Sequence, residues 1–218
     1  MYFHSRHQAG RMLASRLITK YRYENCVIMA LDDGGVAIGA EIARQLHCSL
    51  NVTVAEEVRL PMEPWAIGGI SPDGQFVYNS QYTKGDIDEL EQENRGYIEQ
   101  QKIEKFHLLN RLLSKTKTTD KKTLTGHSII LTSDGLQNAF KLDIVKAYLK
   151  TVNYERLIIA APIATVKVVD WMHIYADEIY CLSVVEEVAD VDHYYDIKDV
   201  PDRDAIDDMV KSNVLNWI

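Results

Sequence analysis

Cysteine is scarce in this chain: three residues, at positions 26, 48 and 181, with no CxxC spacing. That excludes a disulfide scaffold and a thiolate metal site of the usual spacing. Cys26 and Cys181 lie beside apolar strand patterns and are expected as small buried thiols. No stretch approaches the roughly 18 to 20 apolar residues that a membrane-spanning helix needs, and residues 1–10 carry no apolar leader core. A reducing cytoplasm is the expected setting. Positive charge is also in deficit. Lys and Arg number 24 against 32 Asp and Glu, a formal charge of −8, which argues against a nucleic-acid surface and against an anionic membrane partner. There is no internal repeat and no long low-complexity tract. What is left has the composition of an ordinary globular protein, long enough for one domain over residues 1–218 in which a buried sheet is covered by helices.

The stretch Gly126–Phe140 organises the rest. Ile129-Ile130-Leu131 is a short apolar run suited to a buried strand. Small polar residues follow (Thr132, Ser133, Asp134, Gly135), and beyond Asn138 a helical stripe begins at Leu142 and Val145. Strand, tight polar turn and helix together place a ligand at the carboxyl edge of a parallel sheet, where backbone N–H groups and the helix dipole face outward. Upstream, Arg6–Tyr21 has helical spacing, Cys26–Leu31 is a continuous apolar run, Asp32-Asp33-Gly34-Gly35 breaks it, and helical periodicity resumes over Val36–Leu46. With a short strand at Leu50–Val54 this is a βαβ unit and calls for a parallel sheet.

The middle reads differently. Arg59–Trp65 is punctuated by Pro61 and Pro64, and Ala66–Ile70 with Phe76–Tyr78 around Pro72-Asp73-Gly74 predicts a hairpin. From Asp86 to Lys115, apolar residues at Ile98, Ile103, Phe106, Leu109 and Leu113 predict an amphipathic helix, broken near Gly96; it is a candidate homodimer contact, as are the hairpin and the tail. Lys115–Thr125 is a polar linker, so a hood and helical insertion span about residues 59–125. Further strands are expected at Leu157–Ala161, ended by Pro162, and at Glu178–Leu182, with a helix over Thr165–Tyr175 between them. A tail helix carries Ile206, Met209, Val210 and Val214, with Asp202 or Asp204 as its cap and Trp217 beyond. His4 and His7 have helical spacing but no third ligand, and His127 and His193 read as structural.

These pieces, in this order, resemble the type I phosphoribosyltransferase family. The resemblance rests on Phe3-x-x-Arg6-x-x-Ala9-Gly10, Gly34-Gly35-Val36, Ala66-Ile67-Gly68-Gly69 with Asp73-Gly74, Asp134-Gly135-Leu136, Ala160-Ala161-Pro162-Ile163-Ala164, and Ala176-Asp177-Glu178 leading to Tyr194-Tyr195. It implies an α/β fold: a twisted parallel sheet with helices on both faces, Rossmann-like, with a small hood. It also implies three loops that hold phosphoribosyl pyrophosphate and magnesium, and each loop departs here. Where the family has Pro-Arg-Gly-Gly, this chain has Asp32-Asp33-Gly34-Gly35. An Arg-Lys pair is replaced by Glu56 and Glu57, and the phosphate cradle reads Ser133-Asp134-Gly135-Leu136-Gln137-Asn138-Ala139, with one acid of two and alanine where the cradle has glycine.

A phosphorylated donor is bound by positive charge and free amides. Two unit charges ~4 Å apart in a partly buried site interact by about 4 kcal/mol, so exchanging Arg and Lys for acids works strongly against it. Two readings stand. In the first, the chain is a non-catalytic binding or regulatory module whose acidic residues (Asp32, Asp33, Glu56, Glu57, Asp134) favour a cation, a polyamine or a basic segment of a protein partner. In the second it is an active transferase with an altered donor pocket, in which Asp134 holds ribose hydroxyls and the amides of Gly34, Gly35, Gly135 and Ala139 bind phosphate, with Mg²⁺ entering alongside the phosphorylated sugar. The departures favour the first. A plainer account competes with both: Asp32-Asp33 as a solvated helix cap and Glu56-Glu57 as an exposed pair.

Overall fold

The structure is a computed structural model that describes residues 2–53, 55–113 and 121–215. In chain order its elements are α1 (Arg6–Tyr21), β1 (Cys26–Ala30), α2 (Asp33–Leu46), β2 (Ser49–Val52), β3 (Glu56–Arg59), β4 (Ala66–Ile70), β5 (Phe76–Tyr78) and α3 (Lys84–Leu113). There follow α4 (Lys121–Leu124), β6 (Ser128–Thr132), α5 (Phe140–Leu149), β7 (Arg156–Thr165), α6 (Val166–Tyr175), β8 (Glu178–Val185), a 3₁₀ turn (Val191–Tyr194) and α7 (Arg203–Leu215). They form two compact units, one of Met1–Thr53, Thr119–Asn138 and Val152–Ile218, the other of Val54–Thr118 and Ala139–Thr151.

The first unit is a five-stranded parallel sheet in the order β2-β1-β6-β7-β8. β1 and β6 are buried at every position, as strands covered on both faces must be. Ile28, Ala30, Ile130, Ile158 and Ala160 join Leu13 and Leu17 of α1 and Ile38 and Ile42 of α2 in the main core. Met209 and Val210 of α7 pack against the same cluster. Cys26 and Cys48 are buried and Cys181 half-buried, all three as free thiols, and burial pushes the Cys26 thiol up to about 12.

β7 does not stop at Pro162 but runs on to Thr165. The ladder with β8 steps over the proline, from Ala161 opposite Cys181 to Ile163 opposite Ser183. Beyond the end of β6, Leu136 takes up the pairing: its N–H donates to Ile163 O at 2.9 Å and its carbonyl accepts from Thr165 N at 3.1 Å. One missing donor is tolerated because the flanking bonds hold the strand.

The second unit holds an antiparallel sheet, β3-β4-β5, together with α3 and α5. The hairpin expected at 66–78 is present as β4 and β5, and β3 adds a strand that the charged run Glu56-Glu57 had hidden. The long helix is interrupted at Asn94 (φ −119°, ψ 19°), two residues before Gly96 and so near the expected break. The Asn94 amide donates to Leu90 O at 3.2 Å, a side-chain bond that competes with the helical one. Of the expected apolar stripe, Ile98 and Leu109 are buried, whereas Ile103 and Phe106 are exposed. Most of the polar linker, and Trp217, lie outside the described residues.

Candidate functional site at the ends of β1 and β6

Asp32 is the N-cap of α2: its backbone is extended and its side chain accepts from Gly35 N at 2.7 Å. The double glycine is therefore the first turn of a helix and not a loop before one, as the sequence had suggested. The second Asp32 oxygen accepts from Ser133 Oγ at 2.7 Å, across from the end of β6. Asp33 follows as the first helical residue, exposed, where the helix dipole favours an acid. Gly34 is needed for close approach. A Cβ there would stand 2.0 Å from Asp134 Oδ2, and one at Gly35 would stand 2.5 Å from the Thr132 carbonyl. These glycines let the start of α2 press against the end of β6.

Asp134 meets a residue that lies near the other end of the sequence. Ser5 caps α1 by accepting from Gln8 N, which makes Arg6 the first helical residue. The Arg6 side chain is only 1% exposed. Its Nε donates to Asp134 Oδ2 at 2.7 Å, Nη2 to Asp192, and Nη1 to Asp199 at 3.4 Å. The same guanidinium lies 4.4 Å from the centre of the Tyr195 ring, and the Tyr195 hydroxyl donates to Asp134 O at 2.6 Å. Burial alone would lower the Arg6 pKa, but hydrogen bonds and charge from Asp192 and Asp134 hold it above its ordinary value. Burial, and then the nearby Asp134 charge, raise the Tyr195 phenol. One guanidinium thus serves three carboxylates, and the cluster stays net negative.

The rest of the turn is tied down locally. Gly135 N donates to Ser133 Oγ at 3.3 Å, Leu136 is paired with β7 on both sides of its peptide, and Gln137 O accepts from Thr165 Oγ1 at 3.3 Å. Asn138 closes this unit's part of the turn. Ala139 belongs to the second unit, as the right-handed cap of α5 (φ −83°, ψ −5°). Among the described residues, positive φ occurs at His47, Met62, Gly74 and Gly126 and nowhere from Ser133 to Ala139. The alternating-hand backbone that makes an anion nest is therefore absent from this turn.

Glu56 and Glu57 also belong to the second unit, in β3, where each has a cation of its own. Lys105 Nζ lies 3.2 Å from Glu56, and Arg59 Nη2 lies 2.5 Å from Glu57. His4 and His7 do not converge on a common point: His4 approaches Asp196 at 3.5 Å and His7 approaches Glu41 at 3.1 Å. Arg6, at the centre of this cluster, is absent from the site expected from the sequence, although the Phe3-x-x-Arg6 opening had marked it. Among the described residues no group of three His, Cys, Asp or Glu is arranged to hold a metal, and no helix is long and apolar enough to cross a membrane.

The family model for the phosphoribosyl transferase domain matches residues 3–196. Two proteins described as putative phosphoribosyl transferases, from two strains of Mycobacterium tuberculosis, are each 28% identical over 182 residues. The match covers 83% of this chain and 40% of theirs, so the chain spans well under half the length of those relatives. Among solved structures, TT1426 from Thermus thermophilus is similar in fold, with a TM-score of 0.70, 22% identity, and 100% of this chain and 99% of that one covered. A family model spanning both the Arg6 hub and the Asp134 turn shows that the chain belongs to the phosphoribosyl transferase domain family.

Proposed function

We propose that the chain is a non-catalytic binding or regulatory module on the phosphoribosyl transferase fold, and that its strand-end site takes a cationic ligand in place of phosphoribosyl pyrophosphate. One observation carries the reading: the turn after β6 is closed on itself. Asp134 is engaged by Arg6, Gly35 N by Asp32, Gly135 N by Ser133, and Leu136 by β7. A pyrophosphate would have to displace charge-assisted bonds that are stronger than the neutral ones it could gain. It would also approach the carboxylates of Asp134, Asp192 and Asp199, which outnumber the Arg6 and Lys198 cations paired with them. Magnesium does not fit this set as it stands, because the Asp134 Oδ2 that would be its ligand is held by a buried guanidinium.

A polyamine or a basic segment of a protein partner matches the net negative cluster. The same proposal includes self-association through the exposed Ile103 and Phe106 of α3, which sedimentation of a Phe106→Glu variant tests. Calorimetric titration decides the donor question. Phosphoribosyl pyrophosphate with Mg²⁺ gives no saturable heat in the micromolar range, whereas spermidine does. Micromolar binding of the sugar donor would overturn the proposal and restore the transferase reading.

A further inference from the structure

Away from the strand ends, α1, α2 and α7 of the first unit border a cavity of about 530 Å³ whose lining sets Arg44, His7 and His47 beside Glu41. Its lining includes Glu41, with a side chain only 8% exposed. The two helices can meet here because residue 10 is glycine: a Cβ on Gly10 would stand 2.9 Å from both Ile38 O and Glu41 Cβ. Glu41 is surrounded by basic residues. His7 Nδ1 lies 3.1 Å from Oε1, Arg11 Nη1 lies 3.6 Å from the same oxygen, and Arg44 Nη2 pairs with Oε2. α7 adds Met209, Ser212 and Asn213 to the wall, none of them acidic.

One buried carboxylate needs one cation to be tolerated. Glu41 has two guanidinium groups and an imidazole. Each guanidinium carries five N–H donors, and Glu41 offers two oxygens to all of them. Of the two guanidinium groups Arg44 lines the cavity, which also has a hydroxyl and an amide on its wall, in a chain of net charge −8.

We infer that the cavity between α1, α2 and α7 is a binding site for the phosphate group of a small phosphorylated molecule, with Arg44 on its lining and Arg11 beside it as clamps, and with Glu41 as the buried carboxylate that the phosphate competes with for them. Arg forks suit an anion with several oxygens. The cavity volume leaves room for the organic part of a ligand beside its phosphate. The site uses none of the strand-end residues and stands or falls independently of the function proposed above.

The test is calorimetric titration of the full chain with inorganic phosphate at low ionic strength, beside Arg44→Gln, Arg11→Gln and Glu41→Gln. Wild type binds in the millimolar range or tighter. Either arginine substitution weakens binding by about tenfold without moving the thermal midpoint, since both side chains are more than half exposed. Glu41→Gln removes a competing anion and tightens binding severalfold, a change opposite in sign to that of a merely structural tie. No saturable heat up to about 10 mM, or equal affinity in wild type and Arg44→Gln, would overturn the inference.

Discussion

The two units treat their carboxylates differently. In the parallel-sheet unit, Asp134 and Asp199 meet a guanidinium that is almost wholly buried, and Asp32 is bound by a backbone amide and a hydroxyl. In the antiparallel unit, Glu56 and Glu57 meet Lys105 and Arg59, side chains that keep contact with water. Read along the chain, the acids at 32, 33, 56, 57 and 134 formed one class: occupants of a phosphate site. In the fold Asp32 and Asp134 are tied into the strand ends, Glu56 and Glu57 stand in half-buried ion pairs, and Asp33 is exposed in the first turn of α2.

That division sets an order of effects. Arg6→Met is the most damaging change, because it leaves Asp134 and Asp199 in low-dielectric surroundings without their cation. It should cost about 3 to 5 kcal/mol in chemical denaturation, and the contrast fails if it costs no more than a surface change. Gly34→Ala comes next, at about 1 to 3 kcal/mol, since the added methyl meets Asp134 Oδ2. A variant with wild-type stability would mean that α2 and β6 are not pressed together. Asp32→Ala removes a helix cap and costs about 1 kcal/mol, measured in the same way. Glu57→Gln, at a pair open to water, should change stability by no more than about 0.5 kcal/mol. A larger loss would place Glu57 among the structural acids.

The pH dependence points the same way. The Cys26 thiol and the Tyr195 phenol keep their protons in the folded state beyond the pH at which the unfolded chain releases them. The stability they contribute is complete below about pH 8.5, near the reference thiol value, and is lost as pH rises towards about 12. Denaturation midpoints should therefore fall across that alkaline range, and fall less steeply in Cys26→Ala.

Much of this architecture was legible in the residues. Apolar runs at Cys26, Ile129 and Leu157 are buried parallel strands, and the helical spacings at Arg6, Leu142 and Thr165 are helices. Strand β3 was not legible, because Glu-Glu-Val-Arg has one apolar residue and its strand state comes from pairing with β4. Helix α2 starts at Asp33, ahead of the Val36 that periodicity suggests: glycines read as a turn until the Asp32 cap is seen. The Arg6 hub was hardest to see. Its partners lie 128, 186 and 193 residues away, and no local pattern distinguishes an arginine that will be buried from one that will not.

The strand-end amides already have partners inside the protein, and on this the proposed function depends. Amide chemical shifts of Gly35, Gly135 and Leu136, followed by NMR as phosphoribosyl pyrophosphate and Mg²⁺ are added, report on it residue by residue. The account predicts that all three signals stay in place at millimolar donor. A saturating shift of Gly135 and Leu136 together would contradict it, because the turn would then have opened to receive a phosphate.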